Sequence, residues 1–343
     1  MRKIIVLAVL FLGILFVIIR FSEVANIVQT LQHANPLFLG VAFIIQAAWF
    51  FVLGGTFKSI YALLGLKESL TKLTLIAAAG SFVNIVTPSA GVGGLAIFIS
   101  EGHAHGLPPG KITVASILYI LLDYAAFLCV LPLGMIALLR HNHLGAADIT
   151  AAIFLLAIAV VLAFLFYIGY RSTKALGEAL AKIARLINHI VWPFIHREYL
   201  SEARAHSFAS EISDGLGALP EKPRSLALPF LLSLVTKFLL MGILICSFLS
   251  FAVPFTPGTV LGGFAIGYLF LIVSPTPSGI GIVEGVMALA LGSLGVNFSN
   301  AVVITLAYRG MTFWLPLAIG AIAFRFLHTK IDKNAEAIAK VIR

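Results

Sequence analysis

Thr276-Pro277-Ser278-Gly279-Ile280-Gly281 lies in the middle of a long apolar stretch, and Thr87-Pro88-Ser89-Ala90-Gly91-Val92-Gly93-Gly94 says nearly the same thing earlier in the chain. Pro removes a backbone donor and Gly disfavours helix, so each motif predicts a helix break. At membrane depth a broken backbone is tolerated only where it is buried in protein or lines a cavity. Paired interruptions in two halves of a chain point to the binding site of a transporter.

The surroundings of both motifs are those of an integral membrane protein. Of the 343 residues 60% are hydrophobic and 11% charged, and the mean hydropathy is +1.07. Apolar runs that approach or exceed the span length of a bilayer place full spans at 4–19, 36–57, 112–139, 149–169, 226–252 and 299–327. The start, Met1-Arg2-Lys3 before an apolar run, also fits a signal peptide, but no small-x-small cleavage site follows, so an uncleaved first span is expected. Regions 71–100 and 258–293 remain, each holding one motif. Each reads as a helix–break–helix hairpin that enters and leaves on one side; the alternative is one spanning half and one loop.

Charge orients the spans. With the N-terminus inside, the inner side holds every Lys and Arg except Arg20, Arg140, Lys237 and Arg309. The formal charge of +9 therefore records orientation and gives no reason to expect nucleic acid. Both termini are expected in the cytoplasm, at the cytoplasmic membrane. Cys129 and Cys246 both fall in apolar runs, which argues against a disulfide framework.

The expected fold is all-α and polytopic, with about six full spans plus two broken re-entrant hairpins forming an inverted repeat. It is a single integral membrane domain over 1–343: first span and linker 1–35, first repeat 36–139, connecting span and amphipathic segment 140–225, second repeat 226–327, cytoplasmic tail 328–343. Within the connecting segment, Leu176, Leu180, Ile183, Ile187 and Ile190 recur at helical spacing. That helix lies either in the membrane interface or against the inner face of the protein. The tail from Lys330 reads similarly.

Four ionisable residues fall inside the apolar regions: Asp123, Lys237, Glu284 and Arg309. Burying charge in a bilayer is expensive, so such residues face protein or water and often pair, and these four sum to zero. Read functionally, Lys237 and Arg309 hold an anionic headgroup, Arg by its bidentate donors. Half-helices beginning after each Pro-Ser present backbone N–H groups to the same region. Glu284 or Asp123 then serves as counter-ion or proton carrier. Read structurally, the four are salt bridges that fix packing. Asn84, Pro88 and Ser89 at the first break, and Pro277, Ser278, Gly279 and Gly281 at the second, complete the candidate site. Their small hydroxyls also suit the blander task of satisfying freed backbone groups.

His103-x-His105 and His141-x-His143 lack further ligands at zinc spacing, so no metal is expected. No cofactor is expected, and no nucleophile elbow, phosphate loop or His-Glu-x-x-His motif is present.

From Ser274 to Gly285 the chain reads Ser-Pro-Thr-Pro-Ser-Gly-Ile-Gly-Ile-Val-Glu-Gly. This resembles the transmembrane region of lysylphosphatidylglycerol synthases and their stand-alone, flippase-like relatives. The family pattern is Pro-x-Pro-Gly-Gly-x-Gly-x-x-Glu, followed by an Ala-rich helix and Tyr-Arg. Pro275, Pro277, Gly279, Gly281, Glu284 and Tyr308-Arg309 match, and Ser278 stands where Gly is usual. Asn84 to Gly91 and Asp123 resemble elements of the family's first half. The usual Gly-Glu after the first Pro is replaced by Gly93-Gly94-Leu95, a departure that tells against an anion site there.

The resemblance implies movement of an anionic or aminoacylated phospholipid, or of a polyprenyl-linked lipid, between leaflets. The synthases carry a soluble aminoacyl-transferring domain after this region. This chain ends at Arg343 without one, so aminoacyl transfer is not expected, and neither is any other enzymatic activity. The remaining readings are a transporter of a soluble small anion, a membrane-embedded lipid-modifying enzyme with Glu284 or Asp123 as base, and a non-transporting partner of a lipid or cell-envelope synthase.

Overall fold

Side chains cap the start of several helices. The structure, a computed structural model, describes residues 32, 34–87, 93–140, 145–195, 202–219 and 223–327. The expected first span at 4–19, the motif residues Pro88 and Ser89, His141, His143 and the tail from Lys330 lie outside the described residues.

Asn35 starts α1 (Pro36–Leu63) by accepting the Leu37 N–H at 3.0 Å, with Pro36 in the first helical position. Ser69 starts α2 (Leu70–Val86) by accepting the Lys72 N–H. Then come α3 (Leu95–Ala104), α4 (Pro109–Arg140), α5 (Ala146–Arg171), α6 (Thr173–Ile195) and α7 (Glu202–Leu216). A 3₁₀ turn at Pro223–Leu226 leads into α8 (Ala227–Ser250). Thr256 and Thr259 cap each other's backbone at the start of α9 (Pro257–Val273). After α10 (Ile282–Ser293) comes α11 (Phe298–Arg309), which passes through a π turn at Gly310–Trp314 and continues to Leu327.

The described residues form no strand. Five helical stretches are long and apolar enough to cross a membrane: Pro36–Leu63, Pro109–Arg140, Ala146–Arg171, Arg224–Ser250 and Phe298–Leu327. They match five of the six expected spans. The chain is thus an all-α polytopic membrane protein. Both motif regions are broken helices: α2 ends at Val86 and α3 begins at Leu95, while α9 ends at Val273 and α10 begins at Ile282.

Two large buried clusters hold most of the fold. One joins α1, α2, α3 and the first half of α4 to the last helix through Phe57, Leu73, Phe82, Ile112 and Phe324. The other joins α8, α9, α10 and α11 to the second half of α4 through Phe127, Phe248, Phe264, Met287 and Ile304. Lipid tails are as apolar as these side chains, so close packing rather than apolarity drives the helices together. Gly134 shows how close: a Cβ there would sit 2.6 Å from the Leu261 carbonyl oxygen on α9. The polar segment folds back on this body. Leu176 of α6 and Ile212 and Leu216 of α7 are buried in the first cluster, while Ile183 stays exposed. The Ser213 hydroxyl donates to the Gly169 carbonyl at 2.9 Å, tying α7 to α5.

Candidate functional site

The second break is set by backbone geometry that few residues tolerate. Ser278, Gly279 and Gly281 have φ of 45°, 70° and 82°. Glycine suits the left-handed region because it has no Cβ, and a non-glycine there is strained. Ser278 adopts it in a tight Pro277–Gly279 turn whose neighbours hold it from several sides. The Gly279 N–H donates to the Thr276 carbonyl, and the Thr276 hydroxyl donates to the Ile280 carbonyl at 3.1 Å.

Where the chain re-enters helix, Glu284 performs two tasks. One carboxylate oxygen accepts the Gly281 N–H at 2.6 Å, capping α10 and placing negative charge at its electropositive end. The other accepts Arg309 Nε at 2.5 Å. Arg309 is 1% exposed; its Nη2 donates to the Ser278 carbonyl at 3.1 Å, and its guanidinium carbon lies 4.4 Å from the Phe313 ring centroid. The π turn follows directly, at Gly310–Trp314, a widening often found at functional sites.

The first break is tied to the second. The Ser278 hydroxyl donates to the Asn84 carbonyl at 3.3 Å, and the Asn84 side chain accepts the Gly94 N–H at 2.5 Å. Gly94 also passes close to α2: a Cβ there would stand 2.5 Å from the Gly80 carbonyl oxygen.

The other two charges form a second buried set. Lys237 Nζ donates to Asp123 Oδ1 at 2.5 Å and to the Tyr268 hydroxyl at 2.5 Å, and that hydroxyl donates to Asp123 Oδ2 at 3.0 Å. The ammonium also lies 4.3 Å from the Tyr268 ring centroid, within cation–π range. Asp123 thus has both oxygens engaged, and Lys237 is 1% exposed.

A cavity of about 210 Å³ lies between the two sets. Asn84, Asp123, Thr276, Ser278 and Arg309 are on its wall, with Trp49, Tyr119, Tyr124, Tyr268 and Tyr308. Lys237 and Glu284 are not on the wall; they back Asp123 and Arg309. Pro277, Gly279 and Gly281 shape the turn without lining the cavity. The tyrosines were not legible as site residues, although Tyr119 and Asp123 are four apart on one helical face and Tyr268 interrupts an otherwise apolar run.

Five helices long enough to span, four of which contribute to the wall of a cavity flanked by two internal ion pairs, define a polytopic helical membrane protein with charged groups in its interior. The family model of the lysylphosphatidylglycerol synthase TM region matches residues 4–320, and the chain belongs to this family. It is similar to the UPF0104 membrane protein MJ1595 of Methanocaldococcus jannaschii, with 25% identity over 339 residues and 97% of each chain covered.

Proposed function

We propose that this protein carries the headgroup of an anionic phospholipid between leaflets of the cytoplasmic membrane, through the cavity at Arg309, without chemical turnover. The observation that carries the reading is Arg309 itself. A guanidinium is costly inside an apolar helical body, and here it stands on a cavity wall between two broken helices. Glu284 and the Ser278 carbonyl fix its orientation through Nε and Nη2, and neither of these bonds uses Nη1. The held fork presents the headgroup phosphate with a charged donor at fixed geometry.

The pairs α2–α3 and α9–α10 are re-entrant hairpins in this reading, and 36–139 and 226–327 are inverted repeats. The contact between Ser278 and Asn84 supports it, since it joins the two breaks directly. So does the packing of α1 along α8, the opening helices of the two repeats. Acyl tails stay in lipid while the headgroup moves, with N- and C-termini in the cytoplasm. A lipid or cell-envelope synthase is the natural partner to supply the lipid.

The test is reconstitution in phosphatidylcholine vesicles with trace fluorescent phosphatidylglycerol, followed by the rate at which inner-leaflet label moves out to meet an impermeant external quencher. Native protein is expected to accelerate exchange, and folded Arg309→Gln to lose it. Absence of exchange for every lipid, with and without a potential or pH gradient, would transfer the assignment to a soluble-anion transporter or a non-transporting partner.

A further inference from the structure

The cavity's acid is already occupied, and that restricts what a headgroup can be. Besides Arg309, Asp123 is the one Asp, Glu, Lys, Arg or His among the wall residues described. A headgroup ammonium entering this cavity would seek that carboxylate. Both of its oxygens are taken, one by Lys237 Nζ at 2.5 Å and the other by the Tyr268 hydroxyl at 3.0 Å. The other attraction for a cation, the face of Tyr268, is also filled, with the Lys237 ammonium 4.3 Å from the ring centroid. Lys237 is a tethered cation behind the wall that already neutralises the one carboxylate a ligand's cation would seek. A second ammonium would meet it with like charge in a site of low dielectric.

The rest of the wall is mostly apolar, and its polar groups are uncharged. Tyr119 and Tyr124 line it, and neither hydroxyl has a hydrogen-bond partner among the described residues. Asn84, Thr276 and Thr312 are on the same wall, the two threonine hydroxyls donating to the Ile280 and Tyr308 carbonyls and so left to accept, and Trp49 adds an aromatic surface. Phenols, amides and hydroxyls beside aromatic rings suit a polyhydroxylated chain or ring: its hydroxyls find donors and acceptors while its C–H faces pack on the aromatics.

We infer that the ligand is a phosphate ester bearing an uncharged polyhydroxylated group, with Lys237 as the residue that excludes ammonium-bearing headgroups. The inference rests on the phosphate-at-Arg309 reading above and deepens it. The same chemistry occurs in a lipid headgroup such as glycerol or inositol phosphate and in the free phosphate esters.

The decisive experiment compares vesicles carrying trace labelled phosphatidylglycerol, phosphatidylinositol or phosphatidylethanolamine. Native protein should exchange the two polyol lipids about tenfold faster than the ethanolamine lipid, or more, the scale of one lost or repelled polar contact. Lys237→Met leaves Asp123 on the wall without its counter-charge and should bring the ethanolamine lipid level with phosphatidylglycerol or ahead of it. The double variant Asp123→Asn/Lys237→Met removes both charges, offers an ammonium no acid, and should keep the polyol preference; it also serves if the single variant does not fold.

Equal native rates for ethanolamine and glycerol lipids would overturn the inference while leaving lipid transport standing. A preference unchanged in folded Lys237→Met, or lost in the double variant, would overturn it too. If no lipid is exchanged, transport of lipid fails on its own, and binding of glycerol phosphate against ethanolamine phosphate to the detergent-purified protein decides the ligand class. Preferential binding of glycerol phosphate would then sustain the inference for a soluble ester, and equal or reversed affinity would end it.

Discussion

Arg309 and Ser278 meet across the second break: the guanidinium Nη2 donates to the Ser278 carbonyl at 3.1 Å, and the Ser278 hydroxyl reaches on to the Asn84 carbonyl at 3.3 Å. A buried cation on the last spanning helix is thereby connected to both interrupted segments. Changes at any of the three should be felt at the cavity.

Ser278 holds a left-handed conformation at φ 45°. Ser278→Gly relieves that strain and loses only one long hydrogen bond, so thermal stability in detergent should be unchanged or slightly raised. Ser278→Val places a β-branched side chain in the same conformation and should cost about 1–3 kcal/mol. A melting-temperature series reads both; Val tolerated as well as Gly would show that the turn is not held as described.

Asn84→Ala removes the acceptor of the Gly94 N–H. Leaving that amide without its partner should cost about 1–3 kcal/mol if it is cut off from water. The expected readout is a lower melting temperature and faster amide exchange at Gly94. Unchanged exchange there would mean that the amide is satisfied elsewhere.

Much of this architecture is legible in the sequence. Pro and Gly in the two motifs mark the breaks, the apolar runs mark five of the described helices that can span, and Asp123, Lys237, Glu284 and Arg309 stand out because charge is costly where they lie. Their pairing is not legible in the same way. Lys237 and Asp123 are far apart in sequence and on different helices, and either cation balances either acid on paper. Tyr268 is not legible as a site residue because an aromatic residue in an apolar run reads as core. The back-folded pair α6 and α7 was half visible: the apolar stripe through Leu176 indicated a helix, but not that Leu176 would be buried while Ile183 stayed exposed.

Lys237→Met leaves the Asp123 carboxylate buried without its cation. Breaking one side of a buried pair costs about 3–5 kcal/mol, whereas replacing both partners by neutral groups is often close to neutral. Asp123→Asn/Lys237→Met should therefore regain most of the melting temperature lost in the single variant. A double variant no more stable than the single would show that the pair's charges do not compensate one another.

Glu284 both caps α10 and pairs with Arg309. Glu284→Gln keeps an acceptor for the Gly281 N–H but leaves Arg309 without a counter-charge. A double-mutant cycle with Arg309→Gln should give a coupling of about 0.5–3 kcal/mol, the range for residues in one hydrogen-bond or salt-bridge network. Additive effects would separate the cap from the pair.

The central claim is that a lipid headgroup enters the cavity beside Arg309. It is tested most directly with phosphatidylglycerol carrying a photoactivatable group on its glycerol, cross-linked to the native protein in vesicles and mapped by peptide mass. The account predicts labelling of wall residues on α4, α9 and the 276–284 segment, suppressed in Arg309→Gln. Labelling confined to the lipid-exposed face of α5, such as Ile153 and Phe164, and indifferent to Arg309→Gln, would contradict it.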